Sequence, residues 1–348
     1  MRYGINFLFF ILCIMVLMIG AEIWFLFVYQ ETSFARESHN LPVAVRTVDD
    51  FKWSDEKSKW SVYMDIVGPE AGYRGLKKSY EHEVFMVQHS AIHLFGALFY
   101  EKFGLKGIRY CDNSFGFGCF HSFFATASSK EGNNMLFDLD KECDRISDRV
   151  DVFTCQHGIG HSLLAHGQMS DKELLNALGL CDTLSHKEPI SGCKSGAFME
   201  YNFRSMASIE RAGAMTMRSF DIHAPYAPCS WLPDVFLEAC HFAQTQWWDN
   251  VLDHDYARMG KLCAAITNEK YLISCFMGVG NVASEYVNYD VPSVITICKK
   301  MPMKKGAEEC LVNASWTFWS ESRLRDKVPE ICKQADEAVR IRCAGNNA

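Results

Sequence analysis

Apolar and polar positions divide the chain into three stretches. Ile5 to Tyr29 form an apolar run of 25 residues in which Glu22 is the one charged side chain. At about 1.5 Å per residue, a helix of that length exceeds the roughly 30 Å hydrocarbon core of a bilayer, so the run predicts a transmembrane helix. Polar residues dominate from 31 to 67. From residue 68 onward, apolar residues recur at the spacing of amphipathic helices.

The N-terminal run leaves two interpretations open. Its length favours an uncleaved signal anchor over a signal peptide processed at Gly20-Ala21. Arg2 precedes the run and Glu31 follows it, which places the N-terminus in the cytoplasm and the rest outside. We therefore predict a cytoplasmic stub and transmembrane anchor at 1–30, a polar stalk with room for one helix at 31–67, and an extracytoplasmic ectodomain at 68–348.

The ectodomain pattern predicts an all-α fold. Tyr80 to Phe103 is a candidate long helix that Gly104 ends. Asp171 to Cys181 predicts a shorter amphipathic helix with acidic residues in its first turn.

Cysteines divide the ectodomain into repeats. Fourteen cysteines follow Cys13, and they fall into seven couples, six of which enclose ten or eleven residues. The couples are Cys111/Cys119, Cys143/Cys155, Cys181/Cys193, Cys229/Cys240, Cys263/Cys275, Cys298/Cys310 and Cys332/Cys343. Their second members recur every 33 to 47 residues, a period typical of two-helix repeats. The near-constant spacing favours a disulfide within each couple, which ties the end of one helix to the start of the next.

Glycine recurs three positions after the second cysteine, at Gly158, Gly196 and Gly278. A glycine inside a helix costs about 1 kcal/mol relative to alanine. Its recurrence at one repeat position therefore predicts a close helix crossing where a Cβ does not fit.

Composition limits the cellular compartments and the binding partners that are compatible with this chain. Fifteen cysteines without a CxxC or CxxCH motif indicate disulfides in an oxidising compartment, such as the periplasm, the cell surface or a secretory lumen. The net charge of −7, without a basic stripe, excludes a general nucleic-acid binder.

Over residues 105–348, the period and the cysteine placement resemble the Sel1-like and tetratricopeptide-like α-hairpin repeat proteins. This resemblance implies a solenoid scaffold with a protein or glycan partner on its face. The longest interval contains an insertion at Ala207–Pro228, which is either part of a binding site or a tolerated loop. Trp247 and Trp248 fit sugar or peptide stacking, although packing between repeats is the commoner explanation.

Histidines concentrate in the first repeats. His89 and His93 form an HxxxH pair on the Tyr80–Phe103 helix, and His157 and His161 form a second HxxxH pair. His121 lies two residues after its cysteine, the same repeat position as His157. Since stacked repeats place equivalent helices about 8–10 Å apart, these five imidazoles are predicted to converge in one pocket.

Imidazole-rich sites bind transition metals such as Zn, Cu, Fe or Ni, and cysteines held in disulfides cannot be ligands. Glu200, seven residues after Cys193, is a candidate ligand or catalytic base. A buried structural cluster and a haem or other cofactor site remain open alternatives. The sequence thus predicts a membrane-anchored metal-binding repeat protein, with a metal-dependent enzyme as one form of it. The alternative function is a membrane-tethered protein- or glycan-binding scaffold without catalysis.

Overall fold

The computed structural model describes residues 53–83, 85–146, 148–165, 167–185, 190–204 and 217–345. Fifteen α-helices and no strand occur in these residues, which confirms the all-α prediction. The predicted anchor at 1–30 and the first part of the polar stretch lie outside the described residues. Among the described helices, none has the length and apolar content that a membrane crossing requires.

Three helices open the described part of the chain: α1 (Trp53–Val67), α2 (Pro69–Tyr80) and α3 (Phe85–Phe103). Trp60 and Met64 of α1 are buried, so the helix in the second part of the polar stretch packs as part of the helical body.

The predicted helix start at Tyr80 is wrong. Tyr80 ends α2, and a turn at residues 81–83 separates α2 from α3. The buried side-chain amide of Gln88 donates to the carbonyls of Tyr80 and Glu81, so it satisfies acceptors that the end of α2 leaves open. As a result, His82 lies exposed in the turn and does not share a helix face with His89.

The remaining helices follow as short and long elements connected by tight turns. They are α4 (Gly118–Glu131), α5 (Leu136–Cys143), α6 (Arg149–Leu164), α7 (Asp171–Cys181), α8 (Cys193–Phe203), α9 (Leu237–Val251), α10 (Tyr256–Ala264), α11 (Glu269–Tyr286), α12 (Val291–Lys299), α13 (Lys304–Ser320), α14 (Val328–Cys332) and α15 (Glu337–Gly345). Side-chain caps fix several starts: Ser170 forms a capping box with Glu173, and Asn268 and Asp290 cap α11 and α12.

All seven predicted disulfides are present, each within its couple, with Cα–Cα distances of 5.4–5.7 Å. The bonded pairs are Cys111–Cys119, Cys143–Cys155, Cys181–Cys193, Cys229–Cys240, Cys263–Cys275, Cys298–Cys310 and Cys332–Cys343. In three couples the first cysteine is the last residue of the short helix, as predicted: Cys143, Cys181 and Cys332.

The second cysteine lies deeper in its helix than predicted in most repeats. The prediction that the second helix starts near this cysteine is confirmed for Cys119, the second residue of α4, and for Cys193, the first residue of α8. It is wrong for four others, each of which lies six residues after its helix begins: Cys155 in α6, Cys275 in α11, Cys310 in α13 and Cys343 in α15. Cys240 also lies inside its helix, three residues after the start of α9.

Helix caps explain this correction. The side chain of Asp148 caps α6 and that of Asn268 caps α11, so each helix begins directly after a tight turn. More than one helical turn then precedes Cys155 and Cys275. The disulfides of these repeats therefore join the end of the short helix to the second turn of the long one. In the last repeat, α15 is so short that Cys343 lies in its final turn.

The recurrent glycines lie where the long helices cross. A Cβ on Gly158 would be 2.1 Å from the ring of Phe124, and one on Gly196 would be 1.9 Å from the carbonyl oxygen of His157. At Gly278, a Cβ would be 2.4 Å from the carbonyl oxygen of Phe242. These distances are far below van der Waals contact, which confirms the predicted close crossings.

The end of α13 contacts the loop that follows α3. The Asn113 side-chain amide donates to the carbonyl oxygen of Ser320 across 207 residues of sequence, at 2.5 Å. The Arg323 guanidinium also lies 6.0 Å from the ring centroid of Phe115. The late repeats therefore help to hold the loop at residues 111–117, which contacts the predicted site.

Candidate metal centre

Three long helices carry the five predicted histidines, and they bring them together. His89 and His93, here called the first His pair, are on α3. His121 is on α4, and the second His pair, His157 and His161, is on α6. His93, His121 and His161 are buried, whereas His89 and His157 are partly exposed. The rings of the five residues, here called the His cluster, form a contiguous group beside the crossings of α3 with α4 and of α6 with α8.

Glycines bring these helices close enough for the rings to meet. A Cβ on Gly96 would be 2.0 Å from the carbonyl oxygen of Cys119, which sets the approach of α3 to α4. On the other side, a Cβ on Gly160 would be 1.9 Å from the carbonyl oxygen of Cys193, which sets the approach of α6 to α8. The backbone around both His pairs is therefore fixed by packing that leaves no room for a methyl group.

The first His pair has its Nε2 atoms facing each other at 3.1 Å. The Nδ1 of His89 lies 2.8 Å from the carbonyl oxygen of Phe115. A carbonyl only accepts hydrogen bonds, so Nδ1 donates and the neutral ring presents a lone pair at Nε2.

The second His pair repeats this arrangement. Its Nε2 atoms are 2.9 Å apart. The Nδ1 of His157 lies 2.7 Å from the Ser195 hydroxyl, which itself donates to the carbonyl oxygen of Gly192, so Nδ1 of His157 is the donor. The Nδ1 of His161 lies 2.9 Å from a carboxylate oxygen of Glu200. Both rings thus turn Nε2 towards the same point.

Burial favours the uncharged form of His89, His93, His121 and His157. It lowers the pKa of His89 below the ordinary value and lowers the pKa of His93 and His157 well below it. The pKa of His121 is also lowered well below the ordinary value, first by burial and then by the neighbouring imidazoles. The Nε2 atoms of each pair are at hydrogen-bond distance, so one ring can donate to the other through Nε2, and a metal ion can replace the proton between them.

His121 lies between the two pairs. Its ring centroid is 5.2 Å from that of His161 and 5.4 Å from that of His89. Its Nε2 is buried and has no hydrogen-bond partner among the residues that the structure describes. An unsatisfied buried nitrogen costs about 1–3 kcal/mol, a cost that a metal ion at this position would remove.

The structure corrects the prediction of one pocket for five imidazoles. The ligand nitrogens form two triads, His89/His93/His121 and His121/His157/His161, within each of which they lie no more than 4.8 Å apart. Among the described residues, no larger group that contains both pairs meets this limit. The buried His triads could therefore hold a metal ion, and they share His121.

Glu200 lies behind the second His pair. Its carboxylate is completely buried and contacts Nδ1 of His161, on the side of the ring away from Nε2. In this position Glu200 can orient the imidazole and raise its basicity, and its role as ligand or base stays a prediction.

Sequence reasoning missed two groups that orient the rings. Ser195 occupies the repeat position two after the cysteine, the same position as His121 and His157, and this register could have identified it. The carbonyl of Phe115 gave no such signal, because its contribution depends on the backbone of the loop at residues 111–117 and not on its side chain.

The other histidines of the described residues lie outside the cluster. His82 and His223 are exposed, His241 stacks on Tyr271, and His254 stacks on Tyr286 with ring centroids 3.8 Å apart. His39, His166 and His186 lie outside the described residues.

The aromatic residues considered for partner binding are packed inside the protein. Trp247 and Trp248 have no exposed surface, and their indole N–H groups donate to the carbonyls of Arg218 and Pro225. Residues 217–228 of the predicted insertion thus pack on α9. Residues 205–216 lie outside the described residues.

The chain matches no family model, and no curated protein and no solved structure is similar to it. The resemblance to Sel1-like and tetratricopeptide-like repeats therefore stays a prediction.

Proposed function

We propose that this protein binds a transition-metal ion in the His cluster, on the extracytoplasmic side of a membrane to which its N-terminal segment anchors it. The observation that carries the proposal is the pair of facing Nε2 atoms, 2.9 Å apart at His157 and His161, with both Nδ1 atoms already occupied. A metal ion placed between these two nitrogens would replace the proton that joins them and form a coordinate bond to each.

The dimensions support this proposal. Two imidazole nitrogens bound to one tetrahedral ion at about 2.0–2.1 Å lie about 3.4 Å apart. The observed separations of 2.9 and 3.1 Å need an opening of only a few tenths of an ångström. The ligand nitrogen of His121 lies no more than 4.8 Å from the others in each triad.

The donor set favours zinc or copper over iron. All fourteen cysteines of the described repeats are in disulfides, so no thiolate is offered. Among the described residues, neither triad includes a carboxylate oxygen, unlike a two-histidine, one-carboxylate iron site. Imidazole nitrogens suit Zn²⁺ and Cu²⁺, and also Ni²⁺.

The oxidising compartment also supports the proposal. Seven disulfides indicate an extracytoplasmic environment, in which metal ions reach the protein without cytoplasmic thiol competitors. The apolar run at 5–29 supports the membrane anchor by its length.

Metal analysis of the full-length protein, purified with its disulfides intact, tests the proposal. We expect bound zinc or copper that survives dialysis and is lost in the His157→Ala/His161→Ala double variant. The matched control is His82→Ala/His223→Ala, which removes two exposed histidines outside the cluster and should keep the metal. Equal metal content in wild type and in the cluster variant would contradict the proposal.

A further inference from the structure

We propose that the His cluster holds two metal ions, one between His89 and His93 and one between His157 and His161, with His121 as a ligand that both ions can use. This inference rests on the proposed metal binding and specifies its stoichiometry. The two ions would form a dinuclear centre of Zn²⁺ or Cu²⁺ type.

Each His pair is a complete binding element. In each pair, two Nε2 atoms converge at about the separation that one ion needs, 3.1 Å in the first and 2.9 Å in the second. Each pair also has its own orienting groups: the Phe115 carbonyl for His89, and Ser195 and Glu200 for the second pair. The ligand nitrogens of the two pairs do not fall in one group within 4.8 Å, so an ion bound by one pair leaves the nitrogens of the other pair without a metal.

The backbone opposes a single ion shared by all four paired histidines. Gly118 is packed against α3, where a Cβ would lie 2.8 Å from both the carbonyl oxygen of His89 and the ring of His93. Gly196 is packed even more closely against the carbonyl oxygen of His157, at 1.9 Å. Drawing the two pairs onto one point would bring α6 closer to α4, and a Cβ on Gly158 would already lie 2.1 Å from the Phe124 ring of α4, so this interior has no space for such a shift.

His121 can serve either ion. Its ring centroid is 5.4 Å from His89 and 6.0 Å from His93 in the first pair, and 5.2 Å from His161 and 6.0 Å from His157 in the second. A neutral imidazole has one lone pair, so His121 completes one triad at a time. The other ion then keeps two protein ligands and takes solvent through the partly exposed edge of its pair.

The two positions are expected to differ in affinity. A carboxylate contacts Nδ1 of His161, whereas a neutral carbonyl contacts Nδ1 of His89. The negative charge of Glu200 makes its imidazole the more basic ligand and offsets part of the charge of a divalent ion. The second His pair therefore fills first, and repulsion between like charges weakens binding of the second ion.

A Co²⁺ titration of the full-length, metal-free protein with intact disulfides tests this proposal, because Co²⁺ absorbance follows a zinc-type site directly. We expect two equivalents bound in two steps, with metal analysis after gel filtration giving two ions per chain when Co²⁺ is in excess. A total of one equivalent overturns the two-ion proposal and leaves metal binding intact. No bound Co²⁺ overturns the proposed function as well.

Two pair variants give an independent readout. His89→Gln/His93→Gln and His157→Gln/His161→Gln should each retain one equivalent, and Cu²⁺ in either variant should give the electron paramagnetic resonance spectrum of an isolated ion. Wild type with two Cu²⁺ should show a half-field transition from coupled ions. Near-UV circular dichroism would reveal a pair variant that fails to fold. In that case the number of ions bound by wild type and its electron paramagnetic resonance spectrum still test the two-ion proposal. A wild-type spectrum without coupling contradicts a dinuclear centre.

Discussion

Hydrogen bonds to Nδ1 determine what each histidine of the cluster can do. His89, His157 and His161 each donate through Nδ1, to a carbonyl, a hydroxyl and a carboxylate respectively. The opposite nitrogen of each ring is therefore available as a metal ligand in a fixed orientation. The chemistry of this site depends as much on Phe115, Ser195 and Glu200 as on the imidazoles.

Glu200→Gln tests the contribution of the carboxylate charge. The amide oxygen can still accept from Nδ1 of His161, so the geometry is kept while the charge is lost. We expect about a 10- to 100-fold weaker affinity for the first Co²⁺ bound, because orienting partners of metal-bound histidines have effects of this size. Isothermal titration calorimetry measures the change. Glu309→Gln is the control, since Glu309 is buried beside Arg342 and far along the chain from the His cluster. Unchanged affinity in Glu200→Gln would contradict the role assigned to Glu200.

His241 predicts a pH dependence of stability away from the metal ligands. Burial lowers its pKa to about 4, below the unfolded value of about 6.5. Between these two pH values the unfolded chain therefore binds more protons than the folded chain. The contribution of His241 to the free energy of unfolding is fully present above pH 6.5 and is lost as the pH falls towards 4. The loss amounts to roughly 3 kcal/mol at most.

Thermal unfolding between pH 7 and pH 4 checks this contribution. His241→Phe keeps an aromatic ring against Tyr271, on which His241 stacks, and removes the titration. We expect a shallower fall of the melting temperature with acid in this variant than in wild type. His223→Gln, at an exposed position, should follow the wild-type curve. Parallel curves for His241→Phe and wild type would contradict the assignment.

At the scale of helices, glycine decides how closely neighbouring elements approach. Gly160 and Gly196 lie at reciprocal positions in the crossing of α6 with α8, each against a carbonyl oxygen of the other helix. This approach places the Ser195 hydroxyl within reach of His157 and the Glu200 carboxylate within reach of His161. The close packing of α6 on α8 therefore also orients the two candidate ligands, His157 and His161.

Gly196→Ala should separate these helices. The added Cβ would lie 1.9 Å from the carbonyl oxygen of His157, so α8 has to move. We expect a loss of about 1–3 kcal/mol in the free energy of unfolding, as for other overpacked sites, together with weaker metal binding. Gly179→Ala is the matched control, because nothing lies within 4 Å of its Cβ position on α7. There we expect a gain of about 0.5–1 kcal/mol from helix propensity. Urea denaturation of both variants provides the comparison, and similar values for the two would contradict the close crossing.

The sequence predicted the elements better than their boundaries. Cysteine spacing gave the repeats and all seven disulfides, because a local loop of nearly constant length constrains its own ends. The break between α2 and α3 was missed. It depends on the Gln88 amide, whose contact with Tyr80 is tertiary and leaves no periodic signal. The starts of α6 and α11 were missed because their caps, Asp148 and Asn268, lie outside the cysteine pattern.

At the scale of the whole molecule, contacts distant in sequence shape the site. The five histidines were predicted from repeat register, and the structure brings all of them together. Their division into two triads was not predicted, because it depends on the distance between α4 and its neighbours on each side. The contact of Asn113 with Ser320 could not be predicted from the sequence either, since it joins residues 207 positions apart.

Removal of one distant disulfide should weaken the molecule without changing the metal site. Cys298 and Cys310 are 12 residues apart, and opening a loop of this length costs about 3 kcal/mol in the chain-entropy model. We expect Cys298→Ser/Cys310→Ser to lower the free energy of unfolding by about that amount and to keep the wild-type metal content. Chemical denaturation at about 25 °C tests the lower free energy of unfolding, and metal analysis tests the unchanged metal content. Loss of metal from a fully folded variant would show that the site depends on the late repeats more directly than we infer.

Anomalous X-ray diffraction from crystals of the metal-loaded protein tests the central claim most directly, because it locates each ion independently of any variant. Data collected above and below the absorption edge of the bound metal should give one anomalous peak between the Nε2 atoms of His157 and His161. A second peak should lie between those of His89 and His93. The absence of any peak within about 2.5 Å of these nitrogens would contradict the assignment of the His cluster as a metal centre, whether or not metal is bound elsewhere.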